Sequence, residues 1–173
     1  NFMRNQKIFG FLKIKASVGK LGNQFTGIHY PYYPGYQPGA SAVFGELIVP
    51  AYVLAYRVNP DLKWETVSSY EAGFEADFLQ RRMHFEANYY NRKTNDLLDF
   101  VVEGNTRFYW NAGSIENKGV ELLATWADKT NSGLGYSVSA NLTTINNEVK
   151  SLFKEGYRID RGQSITEAGY PIG

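Results

Sequence analysis

The sequence predicts an all-β fold of antiparallel strands, and three observations carry that prediction. Apolar and polar residues alternate with a period of two over most of the chain, the signature of strands with one apolar face. Aromatic residues make up 16% of the 173 residues, with 13 Tyr, 11 Phe and 3 Trp, yet mean hydropathy is negative at -0.37. No apolar run reaches the ~18 residues that a membrane-crossing helix needs. Strands that cross a membrane need only about ten residues with one apolar face, so a membrane protein built of strands stays open.

The elements follow in order. Leu12, Ile14, Ala16 and Val18 alternate with Lys13, Lys15 and Ser17, and the cluster Gly19-Lys-Leu-Gly-Asn23 closes this first strand. Residues 26–41 hold Pro31, Pro34, Pro38 and several tyrosines and read as a loop. Residues 43–57 are apolar but alternate poorly, which suits a short hairpin or strand near a rim. From Thr66, one face carries Tyr70, Ala72, Phe74, Ala76 and Phe78, and the other carries Glu71, Gly73, Glu75 and Asp77. A tight turn at Gln80-Arg81 leads to Met83, Phe85, Ala87 and Tyr89, opposed by His84, Glu86, Asn88 and Tyr90. Residues 94–114 read as a long loop. Val120, Leu122, Ala124 and Trp126 form the next apolar face, and a polar turn from Asp128 to Gly133 leads to Tyr136, Val138, Ala140 and Leu142. The expected strands lie near 8–18, 66–78, 82–93, 115–126 and 135–147.

Connections that alternate short and long, with aromatic-plus-small apolar faces set against charged ones, suit a transmembrane barrel wall better than a soluble sandwich. A soluble, half-buried antiparallel sheet is the alternative. Pairing Leu79 with Arg82 across the tight turn sets Asp77 opposite His84, Glu75 opposite Glu86 and Gly73 opposite Asn88, so the two polar faces coincide. Glu75 and Glu86 would then repel. Lys13 or Lys15 from the preceding strand can neutralise them, and a hydrated lumen tolerates such a face.

Several blocks resemble one family. Leu12-Lys-Ile-Lys-Ala-Ser-Val-Gly-Lys-Leu-Gly-Asn-Gln24, Asn59-Pro-Asp-Leu-Lys-Trp-Glu-Thr66 with Tyr70-Glu-Ala-Gly-Phe74, Tyr89-Tyr-Asn-Arg-Lys-Thr-Asn-Asp-Leu-Leu98, Asn111-Ala-Gly-Ser-Ile-Glu-Asn-Lys-Gly-Val-Glu-Leu122 and Gly169-Tyr-Pro-Ile-Gly173 are similar in order and spacing to the barrel of TonB-dependent transporters of the SusC/RagA type. Val18 departs where an aromatic is common, as do Lys20-Leu21 where small residues are common. The resemblance implies a bacterial outer-membrane, multi-pass barrel of about 22 strands with a plugged lumen. It also implies import of glycan or peptide fragments, energy from the TonB complex through a plug segment, and a SusD-like surface lipoprotein that captures ligand. On this reading the whole chain, 1–173, is a partial barrel domain without plug or remaining strands, bounded by outer-membrane lipid.

The candidate chemistry is sparse. The chain has no cysteine, so a disulfide framework, a thiolate zinc site and a thiol nucleophile are excluded. Ser17-Val-Gly-Lys20 and Ser151-Leu-Phe-Lys154 have the spacing of an acyl-transfer pair, but that chemistry needs one helical turn. Glu71, Glu75, Asp77 and Glu86 suggest a carboxylate pair for glycoside hydrolysis or, more simply, a hydrated lumen wall, with Lys13, Lys15, Glu71, Glu75 and Glu86 facing the lumen. His29 and His84 lack ligand spacing, so no metal and no cofactor are expected. Gly133-Leu-Gly135 is a turn, and the sequon at Asn141 carries no meaning in a bacterial strand. Lys7, Lys13, Lys15 and Lys20 against a net charge of +1 do not make a nucleic-acid surface.

The aromatics say more. Trp126 and Tyr136 flank a short turn on the apolar face, where a membrane-interface girdle is expected, and Tyr89 suits the opposite girdle. Tyr30, Tyr32, Tyr33 and Tyr36, with Phe108, Tyr109 and Trp110, fall in expected outer loops, where rings can stack on sugars. The leading expectation is a nutrient transporter without catalysis. The runner-up is a soluble or surface-exposed β-sheet module that binds carbohydrate.

Overall fold

The computed structural model describes residues 8–23, 28 and 30–173. Among the described residues, eleven strands follow one another: β1 (Phe9–Asn23), β2 (Tyr36–Phe44), β3 (Leu47–Leu54), β4 (Arg57–Val58), β5 (Glu65–Phe78), β6 (Met83–Glu103), β7 (Thr106–Lys129), β8 (Gly135–Thr143), β9 (Asn146–Leu152), β10 (Arg158–Asp160) and β11 (Ile165–Glu167). The principal sheet runs β1-β5-β6-β7-β4, with β8 and β9 also paired to β7; it does not close on itself. β2–β3 and β10–β11 are separate antiparallel hairpins. A short parallel ladder sets Arg57 and Val58 of β4 against Phe108 and Tyr109 of β7.

The alternating segments form the strands they predict. Asp77 meets His84, and a side chain at Gly73 would meet Asn88, so β5 and β6 pair in the register read from the sequence. The turn between them is built without glycine: Leu79, Gln80 and Arg81 all take left-handed φ, at 51°, 58° and 68°. The N–H of Arg82 closes it on the carbonyl of Leu79 at 3.3 Å.

Three expectations need correction. Residues 94–114 are not a long loop but the continuation of β6 and β7, joined by a two-residue turn at Gly104-Asn105. Gly104 takes φ 58°, which a tight hairpin asks of its first corner and glycine meets without a steric cost. Phe108, Tyr109 and Trp110 are therefore strand residues, not loop aromatics. The expected loop 26–41 gives way at Tyr36 to β2, and the poorly alternating segment from residue 43 is the rest of the β2–β3 hairpin, with a bulge between Pro38 and Ala40. The strand expected over 135–147 is interrupted at 144–145 and continues as β9.

The chain forms two compact units. The first gathers the segments up to Lys20, Ser68–Lys93 and Glu116–Glu148. Its strands pair edge to edge, and Ala76 is its one buried apolar side chain among the described residues. Its apolar face is open: Ile14 is 79% exposed, Val18 77% and Val138 65%. β7 and β8 pair Trp126 with Val138 and Leu122 with Leu142 on that face, while Thr125 and Ser139 join hydroxyls on the other.

The second unit holds Leu21–Val67, Thr94–Ile115 and Val149–Gly173. Here both faces of the β6–β7 hairpin are covered. Tyr109 packs against Phe100 and Tyr56 on one side, with ring centroids 5.1 and 6.2 Å away. On the other, Phe108, Trp110, Phe153 and Tyr157 form an edge-to-face row. Val101 and Tyr109, on neighbouring strands, are both fully buried.

Candidate functional site

The polar face of the first unit carries most of the charged side chains that the sequence singles out. Strand parity places Lys13, Lys15 and Ser17 of β1 beside Glu71, Gly73, Glu75 and Asp77 of β5, which lie beside His84, Glu86, Asn88 and Tyr90 of β6. Lys15 Nζ lies 2.9 Å from Glu75 Oε1 and 2.5 Å from Glu86 Oε1, and Lys13 lies 3.5 Å from the other oxygen of Glu75. One ammonium thus bridges the like-charged pair that the hairpin register brings together. Asn88 donates a further hydrogen bond to Glu86 at 2.9 Å. Arg92 reaches Glu71 at 2.8 Å, and His84 Nδ1 lies 2.8 Å from Asp77 Oδ1.

Two glycines let this face close up. A Cβ on Gly73 would strike Asn88 and the carbonyl of Ala87, and one on Gly119 of β7 would strike the ring of Tyr90 and the carbonyl of Thr144. With Gly119 bare, Tyr90 lies over β7 and lines a shallow groove with Lys15, Glu71, Arg92, Asn117 and Glu121.

As chemistry, the arrangement is a neutralised ion-pair network. Glu75 and Glu86 share one ammonium, and neither stands apart as a proton donor opposite a base, as paired glycosidic carboxylates must. Ser17 and Lys20 lie three apart on one strand and so point to opposite faces, while Ser151 bonds Ser114 and Lys154 bonds Glu103; neither pair converges. No cluster of His, Asp and Glu among the described residues suits a metal ion. Lys7 and His29 lie outside the described residues.

The aromatic candidates divide. Tyr30, Tyr32 and Tyr33 lie in the loop before β2 and Tyr36 begins it; all are strongly exposed, Tyr32 least at 55%. The loop is tied by the Tyr56 hydroxyl donating to the Pro31 carbonyl at 3.2 Å. Tyr109 is 1% exposed, so it is core and not a contact residue; Phe108 and Trp110 are partly covered by the aromatic row. Trp126, Tyr136 and Tyr89 are half-exposed on the apolar face. At the same end as Trp126 and Tyr136, Asp128 pairs with Arg82 at 3.4 Å.

Sequence reasoning passed over Asn111. Its side chain accepts from the N–H of Lys63 and donates to the carbonyls of Lys63 and Asp96, at 2.8 to 2.9 Å. Asp96 is a left-handed residue inside β6, so Asn111 binds a bulge and the Asn59–Lys63 turn at once. Arg92 was also missed, although the strand expected over 82–93 contains it and strand parity places it on the polar face beside Glu71.

Comparison with known proteins adds the following. The family model described as TonB dependent receptor-like, beta-barrel matches residues 12–170. A TonB-dependent receptor of Formosa agariphila is 35% identical over 156 residues, covering 87% of this chain and 16% of the relative. The TonB-dependent receptor SusC of Bacteroides thetaiotaomicron is 28% identical across the whole chain, which spans 19% of it. Among solved structures, the RagAB peptide importer in an open-open state superposes with a TM-score of 0.78 and 28% identity, over 98% of this chain and 19% of that one. The chain thus spans less than a fifth of the length of these relatives.

Proposed function

The chain belongs to the TonB-dependent receptor-like β-barrel family, among its SusC/RagA-type members, and from that premise we propose that it forms part of the wall of a transporter that imports oligosaccharides or peptides. Its place is the bacterial outer membrane, which its strands cross repeatedly. The observation that carries the proposal is the contrast between the two faces of the first unit. One is apolar, aromatic and uncovered; the other holds Lys13, Lys15, Glu71, Glu75 and Glu86 in ion pairs. A face of the first kind suits lipid and one of the second suits a hydrated lumen.

On this reading the five charged residues line the path around a plug, and Tyr89, Trp126 and Tyr136 sit at the membrane interfaces. Tyr30, Tyr32, Tyr33 and Tyr36 lie outside, exposed enough to stack on an incoming sugar or peptide. A SusD-like lipoprotein captures ligand at that surface, and the TonB complex supplies energy through the plug. No catalytic step is assigned. The likeness to the RagAB peptide importer favours a peptide cargo over a small ion, and the glycan alternative rests on the resemblance to the SusC type.

The test uses the full-length protein in its native cells. Deleting its gene is expected to abolish uptake of one class of fluorescent oligosaccharide or peptide, and collapsing the proton-motive force is expected to do the same in wild-type cells. Unchanged uptake of every oligosaccharide and peptide offered, with the protein recovered as a soluble species, would overturn the proposal and leave a soluble binding module in its place.

A further inference from the structure

The apolar face of the first unit ends in a row of cations. The register of β1 on β5 is fixed at three places: Lys13 meets Glu75, a side chain at Gly19 would meet Ser69, and Asn23 donates to Glu65. The same register sets Lys20 opposite Ser68. The β5–β6 register, fixed by Asp77 with His84 and Gly73 with Asn88, sets Ser68 opposite Lys93. Lys20, Ser68 and Lys93 therefore lie side by side across three adjacent strands. By parity they stand on the face that carries Val18, Tyr70 and Tyr89.

The row is electrostatically one-sided. Both lysines are exposed, and neither is paired with a carboxylate among the described residues. No carboxylate stands on this face of β1, β5 or β6 beside the row; the nearest on β7 is Glu116. Glu116 there is already engaged, accepting from Asn91 at 3.0 Å and lying 3.8 Å from Lys118. Strands sit about 4.8 Å apart, so the two lysine backbones are about 10 Å apart with a hydroxyl between them. Two flexible ammonium arms and one hydroxyl donor at that spacing suit a single phosphate, which Lys binds as a point charge.

We infer that Lys20, Ser68 and Lys93 seat the phosphate of a lipid headgroup whose acyl chains lie along the apolar face beneath. The lipid is favoured over a free anion because the row is continuous with the face that meets the membrane: Val18 is the next outward residue below Lys20, and Tyr70 below Ser68. The inference rests on the outward reading of that face in the proposed transporter.

The experiment is native mass spectrometry of the full-length protein in non-ionic detergent, titrated with bisphosphorylated lipid A. Removing both charges in Lys20→Gln/Lys93→Gln is expected to weaken adduct formation about thirtyfold, from the usual worth of two lysines at a membrane surface. Lys20→Arg/Lys93→Arg should retain it, and Lys63→Gln/Lys129→Gln, which removes equal charge elsewhere, should leave it unchanged. Each variant is first checked for the wild-type mobility shift on boiling. Equal adducts in wild type and the Gln variant, equal binding of dephosphorylated lipid A, or displacement of the lipid by millimolar inorganic phosphate would each overturn the inference. A parallel Val18→Cys protein is labelled with a lipid-confined thiol reagent. Labelling there with no charge-dependent adduct sinks the headgroup seat alone; no labelling sinks the orientation on which it rests.

Discussion

Asn111 shows how much one uncharged side chain can hold. It satisfies an N–H and two carbonyls drawn from the Asn59–Lys63 turn and the bulge at Asp96. Asn111→Ala leaves those groups to water or to nothing, and is expected to destabilise the full-length protein by about 2 kcal/mol. Asn111→Asp, which cannot donate, should lose nearly as much; a thermal gel-shift series resolves both. Lys15 works differently. Because it bridges Glu75 and Glu86, Lys15→Gln should lower the temperature of the gel shift, and the added change Glu75→Gln should restore much of the loss by removing the repulsion. A double variant no better than the single would mean that the pair is screened by water and its charges are independent.

Among the elements, the β6–β7 hairpin differs most from what its sequence suggests. Both its faces are covered by aromatic side chains from distant parts of the chain, Tyr56 on one and Phe153 with Tyr157 on the other. Residues 97–112 are therefore expected to exchange their amide hydrogens as slowly as β5, where a loop would exchange within seconds. Fast exchange over 97–112 with slow exchange in β5 would contradict a paired hairpin. The Tyr157 hydroxyl, which donates to the carbonyl of Val102 at 3.4 Å and accepts from its N–H at 2.8 Å, is part of that protection. Tyr157→Phe should speed exchange at Val102 selectively.

The principal sheet does not close on itself, and an open sheet edge is costly in lipid. On the proposed function, strands of a longer barrel complete it. Single cysteines at Ile14, Phe74 and Leu122 are expected to react with lipid-confined reagents. Cysteines at Ser17, Thr125 and Ser137 are expected to react only with water-soluble ones. The reverse pattern would turn the sheet inside out.

Alternation determined the strands of the first unit and their two faces, and together with the tight turn after Phe78 it determined the β5–β6 register, because side chains in a strand alternate strictly and a one-residue slip would put Glu75 on the apolar face. The ordered blocks from Leu12 to Gly173 determined the family. What only tertiary structure decided lies where alternation is masked. Residues 94–114 read as a loop because Phe100, Val101 and Val102, and then Phe108, Tyr109 and Trp110, are apolar on both faces, and a period of two is invisible when both faces are buried. Tyr109 became core for the same reason. The pairing of Lys15 with two carboxylates and the three bonds of Asn111 join residues far apart in sequence, and such contacts exist only once the strands are laid side by side.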